Sequence, residues 1–174
     1  SGRVTHTFKG TDVLAQILPK LIATVDAHPH LARALWGNVP PEVAMRVAML
    51  TGEVDTSAMD PRELIPYLKP MVDIDLPMFL RMLWHAGEHS AEDLLPTIDV
   101  PALVVGGGRD TFTPTDAAEK MAAALPKGEL LVVSGTHVAP LEQHALVGAR
   151  IAEFLAARLA EERDGAAPVE AHAT

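Results

Sequence analysis

The stretch that decides the fold is Val104-Val105-Gly106-Gly107-Gly108-Arg109-Asp110-Thr111-Phe112-Thr113-Pro114. A short apolar run of the kind found in buried strands ends in three glycines, and an aspartate follows them. The proline behind it marks the start of a helix. Open α/β sheets place their chemistry at the carboxyl ends of the strands. The stretch therefore predicts a buried strand that carries the carboxylate of Asp110 at its tip.

A second strand is predicted over residues 129–133, after a helical pattern over 115–125 and a turn at 126–128. Both apolar runs lack polar alternation, which is typical of parallel strands covered on both faces. Strand, helix and strand then form one βαβ unit, whose crossover is expected to be right-handed. A long helix follows, with an inner face that includes Ile151, Leu155 and Leu159. Two strands alone leave both sheet edges open, so further strands are expected to complete the sheet.

Residues 11–95 carry helical periodicity and hardly any strand pattern. Proline and glycine divide this part into short helices, with starts at Asp60-Pro61 and near Asp75 and a stop at Gly52. The chain is therefore predicted to be α/β, with a helical part first and the two parallel strands with their flanking helices second.

Two candidate catalytic residues follow the two strands: Asp110 the first and His137 the second. In a right-handed βαβ unit both post-strand loops lie on the same edge of the sheet, so the two side chains can meet. An aspartate bound to the ring N–H of a histidine fixes its tautomer, and the other ring nitrogen then serves as a base. Two other interpretations stay open, because aspartates also cap turns and loop histidines are often merely hydrogen-bonded.

Residues 100–110 are followed by Phe112 and Pro114, and Gly135-Thr136-His137 is followed by Glu142. These two parts of the chain resemble the acid and histidine segments of the α/β-hydrolase superfamily. The helical stretch resembles the cap, or lid, that this family inserts before its last two core strands. The resemblance implies a helical cap over 1–97 and the C-terminal βαβα part of the hydrolase core over 98–162. The last residues are small, polar and aperiodic, so a disordered tail is expected over 163–174.

The chain departs from the family pattern because it has no Gly-x-Ser-x-Gly, the elbow that carries the nucleophile. None of its serines lies between glycines after a strand: Ser1, Ser57, Ser90 and Ser134. The family order is nucleophile, acid, histidine. We therefore expect this chain to be the C-terminal half of such a hydrolase, with the nucleophile and the oxyanion-hole donors outside it.

The resemblance implies a serine-type hydrolase, esterase-like, that needs no cofactor. His137 takes the serine proton and returns it to the leaving group, and Asp110 orients His137. An apolar cap favours a small-molecule ester with an aliphatic or aromatic portion, while lactone, epoxide, halide and peroxidase chemistry stay open. This chain alone is expected to be inactive. The alternative hypothesis is a catalytically inert fragment that acts as a helical binding or dimerisation module, with the N-terminal half of the same fold or a second copy as its partner.

Composition excludes several other classes of function. A net charge of −9 over 174 residues argues against nucleic acid and anionic membrane as partners. No apolar stretch approaches the roughly 20 residues that span a bilayer, and the absence of cysteine excludes disulfides and cysteine-bound zinc. The pairs His28/His30 and His85/His89 are interpreted as exposed helix-end histidines, so no metal site is expected. The cytoplasm is the default compartment, because a leader upstream of Ser1 would not be visible.

Overall fold

The computed structural model describes residues 13–165 of the chain. Its first part is helical and contains five α-helices and three 3₁₀ turns. The helices are α1 (Val13–Ala27), α2 (Pro29–Trp36), α3 (Pro41–Thr51), α4 (Ile65–Leu68) and α5 (Leu76–Glu88). The 3₁₀ turns are Pro61–Leu64, Lys69–Asp73 and Leu95–Thr97.

The second part is a βαβ unit followed by two helices. Its elements are β1 (Ala102–Gly107), α6 (Thr115–Ala124), β2 (Gly128–Val133), α7 (Ala139–Glu142) and α8 (His144–Gly165). The strands are parallel and in register from the Ala102–Gly128 pair to the Gly107–Val133 pair. Both strands therefore end at the same level, and the loops that follow them start side by side. This confirms the predicted α/β class and its two parallel strands.

The helix boundaries follow from local chemistry. The side chain of Asp75 accepts a hydrogen bond from the backbone N–H of Met78 at 3.0 Å and so caps α5. Asp60 caps the 3₁₀ turn that begins at Pro61 in the same way. Gly52 ends α3 in the left-handed region, at φ 80°, where a residue with a Cβ is strained. These are the starts and the stop that the sequence predicts.

Most of the buried apolar residues in the described part of the chain, 13–165, lie in three separate clusters. The first joins α1 to α5, and the third joins β2 to the helices behind it. The second lies in the loop after α3, and Val138 and Leu141 from the histidine end of the chain pack against it. Their buried members are, in order, Leu18, Val25 and Leu80; Val54, Met59 and Leu64; Val133, Ala139 and Val147. The second cluster is thus the apolar contact between the helical part and the region after β2.

Two apolar surfaces of the second part stay exposed. On α8 the outer stripe consists of Ile151, Leu155 and Leu159, and on β2 the outer strand face consists of Leu130 and Val132. The predicted inner face of α8 and the predicted cover on both faces of β2 are wrong for these residues. The two strands do not offer enough surface to bury all the apolar side chains of α8.

The last helix is held to β2 by its other side. Val147 is buried among Val133 and Ala139, and Glu129 of β2 forms ion pairs with Arg150 and Arg158. The helix continues to Gly165, so residues 163–165 of the predicted tail are helical, and the rest of that tail lies outside the described residues. Within residues 13–165, no helix is long and apolar enough to cross a bilayer.

Candidate active site

The acid loop after β1 lies directly against the histidine loop after β2. The backbone N–H of Gly108 donates to Val133 at 2.8 Å, and that of Arg109 donates to Gly135 at 2.8 Å. A Cβ on Gly107 would lie 2.4 Å from the backbone oxygen of Thr136. The glycine run therefore exists because the two backbones approach more closely than a side chain permits.

The structure brings the two predicted residues together. Nδ1 of His137 lies 3.1 Å from Oδ2 and 3.3 Å from Oδ1 of Asp110. The Asp110 side chain is only 7% exposed, whereas that of His137 is 46% exposed. The carboxylate is thus the buried member of the pair, and the imidazole reaches from it toward solvent.

Asp110 is held by its own loop as well as by His137. Oδ1 accepts the backbone N–H groups of Phe112 and Thr113 at 2.8 and 2.9 Å, and Oδ2 accepts the Thr113 hydroxyl at 2.6 Å. Burial acts to raise the pKa of Asp110, but the hydrogen bonds from Thr113, His137 and Phe112 outweigh it and hold this pKa below its ordinary value. Asp110 therefore caps the turn and also binds His137. Turn capping, which the sequence left open as another interpretation of Asp110, is thus compatible with its contact to the histidine.

The imidazole has one ring nitrogen toward the acid and one away from it. Donation of the Nδ1–H to Asp110 leaves Nε2 of a neutral His137 as the basic nitrogen. The ring of Phe112 packs beside the imidazole with centroids 4.9 Å apart and the planes tilted by 36°. This arrangement can take a proton from a group within hydrogen-bonding reach of Nε2 and can stabilise the imidazolium that results.

Glu142 is a buried carboxylate that the sequence did not place in the site. It is only 5% exposed. Its Oε2 accepts the backbone N–H of Thr136 at 2.6 Å, and its Oε1 accepts that of Asp55 at 2.7 Å. The side chain therefore binds the residue before His137 and a loop of the helical part.

That loop, which we call the bracket segment (Glu53-Val54-Asp55), contacts both the acid loop and the histidine loop. Arg109 forms an ion pair with Asp55, and the Thr111 hydroxyl donates to the carboxylate of Glu53. The Thr136 hydroxyl lies 2.7 Å from the backbone oxygen of Glu53. The bracket segment therefore binds both sequence neighbours of Asp110 and the residue that precedes His137.

The groups around Asp55 favour its ionised form. Hydrogen bonds from Ser57 and Arg109 hold the pKa of Asp55 far below its ordinary value. Asp55 in turn raises the pKa of Arg109, to which the charge of Glu142 adds. Nothing local in the sequence announced this cluster, because its members are 54 to 87 residues apart. The spacing of Glu142 shortly after His137 was the one available signal.

Other features that could bind a metal ion or a ligand do not coincide with Asp110 and His137. Among residues 13–165, no group of three or more histidine and carboxylate side chains is placed to hold a metal ion. A cleft of about 510 Å³ lies in the helical part, between α2 and the start of α5, and it is lined by residues 29–30, 33, 36–38 and 72–77. It contains neither Asp110 nor His137.

Comparison with known proteins agrees with this geometry. Residues 83–168, which include both strands, Asp110 and His137, match the Abhydrolase_4 family, described as TAP-like protein. Two solved structures share the fold. The chain therefore resembles members of the α/β-hydrolase superfamily and shares their fold. One structure is a thermophilic esterase from Thermogutta terrifontis with malate bound, with 23% identity and a TM-score of 0.51. The other is a hydrolase from Pseudomonas aeruginosa PA01, with 18% identity and a TM-score of 0.53.

The chain spans about half the length of these two proteins. The matches cover 71% of this chain and 46% of the esterase, and 77% of this chain and 50% of the hydrolase. No protein of curated function matches the chain at a significant level. The predicted resemblance to the α/β-hydrolase superfamily is thereby confirmed, and the shared fold accounts for the common level of the two strand ends.

Proposed function

We propose that this chain is the C-terminal part of a serine-type hydrolase in which Asp110 orients His137 and His137 activates a serine outside these residues. The observation that carries the proposal is the 3.1 Å contact between His137 Nδ1 and Asp110 Oδ2 at the carboxyl edge of the sheet. A buried, multiply hydrogen-bonded acid behind a half-exposed imidazole is the arrangement that base catalysis by a triad needs.

The reaction follows from the two ring nitrogens. Nε2 of His137 accepts the serine proton while the serine oxygen attacks the carbonyl carbon, and Asp110 stabilises the imidazolium. The same proton then passes from Nε2 to the leaving alkoxide as its bond to carbon breaks, which leaves an acyl-enzyme. In the second half, Nε2 takes a proton from water as the water oxygen attacks the acyl carbon. Nε2 then returns this proton to the serine oxygen as the bond between that oxygen and the acyl carbon breaks, which releases the carboxylic acid.

The proposed substrate is a small carboxylic ester with an apolar portion. Support comes from the helical part, proposed as the cap over 1–97, in which Met78 and Met82 lie one turn apart on α5 and are each 60% exposed. Methionine adapts its shape to varied apolar groups. The structural similarity to an esterase favours an ester over the lactone, epoxide, halide or peroxide chemistry of the same superfamily.

The proposed partner is the N-terminal half of the same fold, which would supply the serine, the oxyanion-hole donors and further strands. The exposed outer stripe of α8 and outer strand face of β2 support this, because apolar surface of this kind is normally covered.

The proposal is tested by substitution of His137 and Asp110 in the protein together with its nucleophile segment. We expect His137→Ala to abolish turnover of p-nitrophenyl esters, and Asp110→Asn to lower kcat about 10⁴-fold because the histidine loses its orienting acid. His89→Ala, which changes an exposed histidine at the end of α5, serves as the control and should leave turnover unchanged. Retention of ester turnover by His137→Ala would overturn the mechanism.

The same exposed surfaces favour a second candidate function, an inert binding or dimerisation module. A second copy of the chain would then cover the outer stripe and the outer strand face. Light scattering on the 174-residue chain separates the two candidates, because a folded monomer contradicts self-association through these surfaces.

A further inference from the structure

Glu142 has no part in the proton transfers described above, yet it is buried. A carboxylate out of water is unfavourable unless hydrogen bonds satisfy its oxygens. Here the backbone N–H groups of Thr136 and Asp55 do so at 2.6 and 2.7 Å. The Thr136 hydroxyl adds a contact, since it lies 2.6 Å from Oε1 and donates its single proton either there or to Glu53. If this position had only a packing role, an apolar side chain would fill it without the free-energy penalty of removing a charge from water.

The contacts of Glu142 converge on the peptide that precedes His137. Thr136 is itself buried, at 3% exposed. A Cβ on Gly135 would lie 2.8 Å from Oε2 of Glu142 and 2.7 Å from the Cβ of Ala139. The glycine thus leaves the space through which the carboxylate reaches the backbone. Because the Thr136 peptide is fixed in this way, the starting point of the His137 side chain is fixed as well.

The bracket segment does the same for the acid loop. It binds Arg109 through Asp55 and Thr111 through Glu53, and these two residues flank Asp110. Its backbone also donates to Glu142. One short segment of the helical part therefore joins the loop that carries the acid to the loop that carries the histidine.

We propose that Glu142 and the bracket segment are positioning elements for the Asp110–His137 pair. Glu142 holds the histidine loop, Glu53 and Asp55 hold the acid loop, and the hydrogen bonds between them keep Nδ1 of His137 within reach of Asp110. The catalytic meaning of this inference rests on the proposed hydrolase function, whereas the geometry can be measured in the chain itself.

The decisive variant is Glu142→Gln, which keeps the shape of the side chain. The carboxylate accepts backbone N–H groups with both of its oxygens. A glutamine has one oxygen, so its NH₂ group must face one of these N–H donors, and one contact turns repulsive. Thr111→Val removes the hydroxyl that binds Glu53 and leaves Glu142 unchanged, so it tests the acid side where Glu142→Gln fails to fold. Glu119→Gln, on the exposed side of α6, is the matched control.

Two readouts separate positioning from general stability. In the 174-residue chain, NMR observes the Nδ1–H proton of His137 while it is bound to Asp110. In the protein with its nucleophile segment, kcat and KM are measured on the same ester. We expect both test variants to lose or broaden the Nδ1–H signal and to lower kcat, by about 10- to 100-fold for Glu142→Gln, with KM nearly unchanged. Glu119→Gln should match the wild type in both.

The outcomes distinguish this inference from the proposed function. A wild-type signal and wild-type kcat in Glu142→Gln, or in Thr111→Val where Glu142→Gln does not fold, would overturn the positioning role and leave the hydrolase proposal intact. Loss of the signal in the variants of a protein that turns over no ester would support the positioning role and refute the hydrolase proposal. A rise in KM with no change in kcat would also contradict the positioning role.

Discussion

The carboxyl edge of the sheet and the outer apolar surfaces of the same unit are built in opposite ways. At the edge, the carboxylates of Asp110 and Glu142 are buried, and each accepts several hydrogen bonds at 2.6 to 3.3 Å. On the outer surfaces, large apolar side chains such as Leu155, at 53% exposed, face solvent. The described residues thus satisfy the polar edge with their own hydrogen bonds, whereas they leave these apolar surfaces uncovered.

The difference shows where geometric precision and where stability come from in this molecule. Hydrogen bonds to charged groups contribute about 1.5–3 kcal/mol each and are directional, so the edge fixes positions. Apolar burial is non-directional and scales with area, and three small clusters supply little of it. The site is consequently ordered by a polar network more than by a large core.

The largest expected effect of the comparison is at Gly107, where the two loops nearly touch. A methyl group there would meet the backbone oxygen of Thr136, so Gly107→Ala should lower the free energy of unfolding by about 3 kcal/mol. The matched control has the opposite sign. Gly148 is exposed on α8, and an added Cβ there would have nothing within 4 Å. Gly148→Ala should therefore raise the free energy of unfolding by about 0.5–1 kcal/mol. Urea unfolding of both variants measures the two effects, and equal signs would contradict the close approach.

A smaller effect separates the two sides of α8. Val147 is 5% exposed and lies in the third cluster, so Val147→Ala should lower the free energy of unfolding by about 2 kcal/mol. Leu155→Ala removes more atoms, yet it should change the stability of the chain by less than about 0.5 kcal/mol because the side chain is exposed. If denaturant unfolding shows Leu155→Ala to be the more damaging variant, the outer stripe is already covered in solution.

The smallest effect is a dependence on pH that belongs to the edge alone. The pKa of Asp110 lies below its ordinary value in the folded state. Its ionised form therefore stabilises the fold above the ordinary aspartate pKa of about 3.9, and this contribution is lost as the pH falls through the lower folded value. Thermal unfolding from neutral to acid pH should show the stability difference between wild type and Asp110→Asn shrinking. The loss of stability in Val147→Ala should stay the same across this pH range. A loss of stability in Asp110→Asn that also stays constant would contradict the prediction.

The parts of this molecule that the sequence predicts are those that depend on local rules. Apolar runs without alternation identify the strands, and the glycines and Pro114 identify their ends and the following helix. The crossover rule then places Asp110 and His137 on one edge. Contact between these two side chains required no information beyond the βαβ unit itself, which is why it could be anticipated.

The rest depends on contacts for which the sequence holds no local pattern. Glu53 and Asp55 form a short loop after Gly52, and their partners Arg109, Thr111 and Thr136 lie in other loops far along the chain. Periodicity also failed on α8, for a different reason. An apolar stripe predicts which side of a helix avoids water, but it does not tell whether the cover belongs to the same chain.

The register of the two strands has a consequence for the order of folding. Asp110 and His137 are brought together by a single βαβ crossover, so the contacts that align them are short in sequence compared with those between the bracket segment and the loops. Loops that close over shorter stretches close faster. The acid and its histidine are therefore expected to meet early, and the bracket segment to lock them later. A nascent chain would then bring Asp110 and His137 together before it forms the support that holds them in place.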